Sequence, residues 1–324
     1  MTHWIRLAKI AVLCLVAVLL YKQVFGRADA QQLWAAFEAQ AAHGNVAWLL
    51  LLLALMPVNW ALETQKWRVL MHRTEPPIAF WAAFGAVFAG VTFSIFTPNR
   101  IGEYGGRMLM VKADKWQTVV ATIVGSFSQM IVLIGVGLMG ATYYATVQLH
   151  PPFYYIAGLP FIAALSGSIM LFFYYNIDLT IPIVRRIPYL RRGVRHLEVL
   201  REYTNKQLSL VLFYSVLRYF VYCFQYYLLL MFFEIKIHLL AALTYIAFIF
   251  LIQTLLPGIG LLARGEIAVN IWGEFQSNPI IIFSVSFGLW LVNVVLAALI
   301  GMIFIANTNI SLSFKSFGYE KNNF

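Results

Sequence analysis

At 324 residues, with 61% of them hydrophobic and only 11% charged, the chain excludes an arrangement of one or two ordinary soluble domains. It reads as an all-α membrane protein, and its formal charge of +10 collects at the ends of apolar runs, where orientation and contact with anionic lipid account for it without nucleic acid. Cys14 and Cys223 lie inside apolar runs and no histidine pair has HxxxH spacing, so neither a disulfide framework, a metal site nor a cofactor is expected.

Crossing a hydrocarbon core of about 30 Å takes roughly twenty residues of helix. Eight stretches reach that length or approach it: Ile5 to Val24, Val46 to Leu70, Ile78 to Thr97, Thr118 to Thr146, Phe153 to Tyr175, Leu208 to Phe233, Leu239 to Leu256 and Ile280 to Ala306. The first follows His3, Arg6 and Lys9 and precedes Ala28-Asp29-Ala30, a pattern similar to a secretory signal. The polar interval from Tyr21 to Asp29 sets that Ala-x-Ala far from the apolar core, so the segment is read as an uncleaved first span.

The third stretch, which carries no charge, ends in Phe96 to Arg107, FTPNRIGEYGGR. Pro98 cannot donate a backbone hydrogen bond and disfavours helix at Thr97, while Gly102, Gly105 and Gly106 loosen the chain beyond Asn99. Irregular backbone at membrane depth survives only when buried in protein or lining a wet cavity, and ionisable groups there default to a functional hypothesis. Arg100, Glu103 and Arg107 are therefore candidate site residues.

Loop charge then decides topology. The stretch 176–206 carries Arg185, Arg186, Arg191, Arg192, Arg195, Arg201 and Lys206, and should be cytoplasmic, as should the N-terminus and the end of the second stretch with Lys66, Arg68 and Arg73. Eight full crossings put the arginine-rich loop outside. About six full transmembrane helices plus two opposed re-entrant hairpins, one broken near 97–107 and one near 256–266, place every basic loop and both termini inside. The second break, Leu255 to Glu266, repeats the ingredients of the first: an apolar run, then Pro257, Gly258, Arg264, Gly265 and Glu266. The chain is thus expected to be a single membrane domain, 1–324, with a pseudo-two-fold inverted repeat of halves 1–146 and 147–324. Within the basic loop, Gly193 to Gln207 spaces Val194, Leu197, Leu200 and Tyr203 as a short amphipathic helix at the membrane surface. The aromatic cluster Tyr214 to Tyr227 is read as interfacial belt and bundle packing.

KWRVL at Lys66 to Leu70, the FTPNRIGEYGGR break, the LLPGIGLLARGE break and the six-plus-two layout together resemble the lysylphosphatidylglycerol synthase transmembrane-region family, the flippase-like integral membrane proteins. The family's Thr-Pro-x-Arg-x-Gly-Glu motif is matched at Thr97, Pro98, Arg100, Gly102 and Glu103, and its later Pro-Gly break at Pro257, Gly258, Arg264, Gly265 and Glu266. The resemblance implies a role in moving or presenting a lipid across a bacterial cytoplasmic membrane. It also implies a stand-alone member without the soluble synthase domain, with a separate lipid-modifying enzyme as a potential partner and oligomers open.

On this reading Arg100, Arg107 and Arg264 offer cationic forks for a lipid phosphate or carboxylate, and Glu103 and Glu266 hold those arginines when the site is empty. The same pairs would serve equally to pin two re-entrant tips together. No P-loop, nucleophile elbow or metal-ligand spacing is present, so no catalytic residue is assigned and no enzyme is expected. An intramembrane lipid-modifying enzyme using Glu103 or Glu266 as base, and an accessory subunit of an envelope-lipid synthase, stand as alternatives.

Overall fold

A computed structural model of the chain describes residues 30–72, 77–95, 97, 100–111, 113–149, 153–186, 191–255 and 260–307, and among these every regular element is helical. In chain order they are α1 (Ala30–His43), α2 (Val46–Leu70), α3 (Phe80–Ile95), α4 (Gly102–Met110), α5 (Lys115–Tyr144), α6 (Phe153–Tyr175), α7 (Thr180–Arg185), α8 (Asn205–Phe232), α9 (Leu239–Leu255), α10 (Gly260–Trp272), α11 (Pro279–Trp290) and α12 (Leu296–Ala306). A π-helical turn over Ala145–Leu149 extends α5, another over Leu291–Val295 joins α11 to α12, and a 3-10 segment, Arg191–Glu202, precedes α8.

Among the described residues five helices are long and apolar enough to cross a membrane: α2, α5, α6, α8 and the continuous α11–α12 rod. They fall on five of the expected spans, and the remaining one, Ile5 to Val24, lies outside the described residues. Large apolar side chains stand exposed along them, as at Leu50 and Leu53 on α2 and Phe161, Ile162 and Phe172 on α6, which suits a lipid surround and no aqueous one. The chain is a multi-pass membrane protein.

Local chemistry explains where the helices start. Asn45 accepts from the Ala47 amide, Asp114 from the Gln117 amide and Asn278 from the Ile280 amide, with Pro279 at the first helical position. The α8 start is a capping box, in which Gln207 N–H donates to Thr204 Oγ1 and Thr204 N–H donates to Gln207 Oε1. That box divides the amphipathic stretch expected over Gly193 to Gln207: the 3-10 segment stops at Glu202 and α8 begins at Asn205. Between them, the buried Tyr203 hydroxyl donates to the Leu70 carbonyl at 3.2 Å, tying the end of α2, and burial pushes that phenol above its ordinary pKa.

The chain folds into two compact units. One comprises 1–57, 133–167 and 219–292; the other comprises 58–132, 168–218 and 293–324. Each of the five long helices contributes residues to both, whereas α3 and α4 belong wholly to the second unit and α9 and α10 wholly to the first.

In the second unit α3 is the central element, packed by α4 and α12. Gly301 of α12 leaves no room for a Cβ against Phe88 O and Thr92, Gly85 does the same beneath Phe304, and Thr92 Oγ1 donates to Ala298 O at 2.8 Å. In the first unit α9 lies along α5 through Gly137, against Leu251 and Ala247, and Gly140, against the Thr244 carbonyl. Small residues at such crossings let helix backbones meet where no hydrophobic force drives them together. Beside these, Trp272 Nε1 donates to Tyr226 OH at 3.1 Å, and Tyr226 meets Ser286 Oγ at 2.8 Å, a buried polar thread inside an aromatic core. The polar helix α1, which the hydropathy pattern does not announce, ties to α11 through Asn278 Nδ2 and the Leu33 carbonyl at 2.8 Å.

Candidate functional site

The break after α3 is built for close return. Thr97 Oγ1 accepts from the Gly102 amide at 2.7 Å and is within reach of the Phe93 and Ser94 carbonyls, so one side chain spans the interruption. Arg100 adopts φ 59°, a left-handed conformation that costs a non-glycine residue roughly 1–2 kcal/mol. From there α4 runs back along α3. Gly102 sits against the Phe93 carbonyl, Gly106 against Ala89 O and Gly90, and Gly90 against Glu103 O and the Arg107 stem, so contacts climb one strand of the hairpin as they descend the other. A side chain at Gly102 or Gly106 has no room; a Cβ at Gly105 meets nothing among the described residues.

This return aims α4 at α2. Arg107 Nη2 donates to Glu63 Oε1 at 2.9 Å and also to Glu103 Oε1. Glu63 takes Lys66 Nζ at 2.6 Å and Arg218 Nη1 at 3.1 Å on its other oxygen, and Glu103 pairs with Arg100 at 3.2 Å. Six charged side chains from α2, the hairpin and α8 therefore form one network, all within the second unit. Arg107 and Lys66 are 1% and 2% exposed, while Arg100, at 54%, marks the open edge.

Aromatic faces and small residues frame the network. The Arg107 guanidinium stands 5.6 Å from the Trp67 ring centre, and Arg218 stands 5.0 Å from that of Trp60. Gly125 on α5 leaves space beside the Lys66 stem. Arg68, two residues beyond Lys66 on α2, donates through Nε to the Ile78 carbonyl at 3.0 Å and so fixes the entry to α3. Four buried N–H groups in the frame have no hydrogen-bond partner among the described residues: Nε of Arg107 and of Arg218, and Nε1 of Trp60 and of Trp67. Among the described residues no three His, Cys, Asp or Glu side chains assemble into a metal-binding group.

Of the residues singled out in the sequence, the structure joins Arg100, Glu103 and Arg107. Pro98, Asn99, Pro257 and Gly258 lie outside the described residues, as does the Arg264 side chain. Gly265 is buried within α10, and Glu266, on the same helix in the other unit, has its Oε2 buried without a hydrogen-bond partner among the described residues. Sequence reasoning missed Glu63 and Arg218 as site residues and read Lys66 as an orientation signal and as part of the KWRVL stretch, not as a member of the site. The signal for the first two was present: each is an ionisable group inside an apolar helix, and Arg218 is the sole charge in the interior of α8.

The first hairpin, the Glu63 to Lys66 step and Arg218 fall inside residues 6–271, which match the family model described as lysylphosphatidylglycerol synthase TM region. The chain belongs to this family. Membership in the lysylphosphatidylglycerol synthase TM-region family gives the site a membrane-lipid context, and the match extends past the second break into α10. No curated protein and no solved structure matches the chain at a significant level.

Proposed function

We propose that the protein is a flippase-like transporter that moves or presents a charged phospholipid or polyprenyl-linked lipid across a bacterial cytoplasmic membrane. The observation that carries this reading is the burial of Arg107 between Glu63 and Glu103 at the end of a hairpin that doubles back on itself. A cationic fork held at depth by two displaceable carboxylates can exchange its partners for a lipid phosphate, because arginine binds phosphate in a planar, two-point fashion and keeps its charge in any environment. A head group that competes with the Arg–Glu pairs biases the two access states of the carrier by its differential affinity for them.

Two further features support the layout. The long helices each divide between the two units while each hairpin stays within one, as two re-entrant segments approaching from opposite faces would. The basic loops that end α2 and lead into α5 and α8 suit one cytoplasmic face, which also takes both termini. On this reading the chain transports its lipid and leaves chemistry on it to a separate enzyme.

The test is translocation of a fluorescent phospholipid in proteoliposomes, comparing the wild type with Arg100→Ala and Glu103→Gln at matched folding and reconstitution. Movement by the wild type that falls at least tenfold in both variants supports transport. Equal rates in all three, or none in the wild type, overturns it and favours an accessory role beside a synthase.

A further inference from the structure

The charge balance of the network specifies its ligand more narrowly than a charged lipid. Among the described residues Lys66, Arg100, Arg107 and Arg218 pair only with Glu63 and Glu103, so four cations less two carboxylates leave two positive charges without a counterion there. We propose that the site takes a lipid whose head group is a terminal phosphate monoester, a dianion, in preference to a phosphodiester or an amine-bearing head group. This inference rests on the transport reading of the same cluster and deepens it.

Three observations carry it. First, a phosphate monoester brings a charge of about −1.5 to −2, which matches the surplus, while a diester brings one charge and leaves one cation of the network uncompensated. Second, the donors left over fit an acceptor-only ligand. Arg107 Nε, Arg218 Nε and the indole N–H groups of Trp60 and Trp67 are buried and unspent, and buried donors of this kind ordinarily find an acceptor. Three terminal phosphate oxygens can take more of them than the two of a diester. Third, each carboxylate of the network already pairs with at least two of its cations. Glu63 already holds Lys66, Arg107 and Arg218, and Glu103 holds Arg100 and Arg107. An aminoacylated head group would add positive charge where it is already in excess. Entry is at Arg100, which is half exposed and joined to the network only through Glu103.

The experiment is equilibrium binding to the purified full chain in neutral detergent, read by tryptophan fluorescence and by thermal unfolding. The probes are dioctanoyl phosphatidic acid, dioctanoyl phosphatidylglycerol with the same tails, and inorganic phosphate. The expected result is at least tenfold tighter binding of phosphatidic acid than of phosphatidylglycerol, about 1.4 kcal/mol, and weaker binding still of inorganic phosphate. Arg100→Gln, a change at an exposed position, should erase most of the difference between the two lipids, and Arg218→Gln should do so as well. Equal affinity for both lipids, or preference for phosphatidylglycerol, overturns the monoester assignment. Inorganic phosphate binding as tightly as phosphatidic acid overturns a lipid source for the phosphate. Because the readout involves no movement, selective binding without translocation would sink transport alone, and translocation without selectivity would sink only the head-group assignment.

Discussion

Arg107 and Glu63 meet at 2.9 Å across 44 residues of sequence, both buried, and the contact joins the returning arm of a hairpin to the C-terminal half of a long helix. Breaking a buried pair from one side costs about 3–5 kcal/mol, because the partner stays behind uncompensated. The two sides are unequal here. Glu63→Ala leaves Lys66, Arg107 and Arg218 facing one another, whereas Arg107→Ala leaves Glu63 still held by Lys66 and Arg218. Thermal unfolding in detergent should therefore show the larger loss for Glu63→Ala, and the double change Glu63→Gln with Arg107→Gln should cost less than the sum of its parts.

The glycines of the first break should separate cleanly by mutation. Gly102→Ala and Gly106→Ala force a methyl group into backbone carbonyls of α3 and should destabilise by at least the 1–3 kcal/mol typical of overpacking. Gly105→Ala meets open space and should be neutral or stabilising by up to about 1 kcal/mol, since alanine is the better helix former. Melting temperatures of the three variants, measured side by side, check the ordering.

Thr97→Val keeps the shape of the side chain but removes the oxygen that accepts from the Gly102 amide. A stranded backbone donor costs about 1–3 kcal/mol. The variant should unfold at lower temperature than the wild type and lose head-group binding with it, whereas Thr97→Ser, which keeps the oxygen, should restore most of both.

If the hairpins are re-entrant, each begins and ends on one face. In a background lacking Cys14 and Cys223, cysteines placed at Ala79 and Ala113, the two ends of the α3–α4 hairpin, should react with a membrane-impermeant reagent from the same side. Cysteines at Lys236 and Ser277, flanking α9–α10, should both react from the other side. Labelling of Ala79 and Ala113 from opposite faces would make α3–α4 a full crossing.

The long helices could be read from the chain because each is a local property: a run of about twenty apolar residues has few alternatives in a bilayer. The break at Thr97 to Arg107 was legible for the same reason, as proline, glycine and charge crowd into a dozen residues. The site was only half legible. Arg100, Glu103 and Arg107 announce themselves at spacings of three and four, but Glu63 and Arg218 join them through tertiary packing that no local pattern encodes. Arg218 was further masked by its neighbours, since a lone arginine among tyrosines and phenylalanines reads as an interfacial belt. The polar helix α1 escaped notice because hydropathy rewards apolar runs and gives no signal for a short helix outside them.

The spacing of the charges along the chain bears on how the protein enters the membrane. Glu63 and Lys66 lie one turn apart, as do Glu103 and Arg107, so each segment reaches the bilayer with its counterion already attached. A single bare charge at the centre of an inserting helix is penalised by about 2.5–3.5 kcal/mol, and a local pair softens that barrier. Arg218 alone arrives without a partner on its own helix, late in synthesis, after both carboxylates are in place to receive it. The order of translation thus supplies each charge with an acceptor no later than the moment it leaves water.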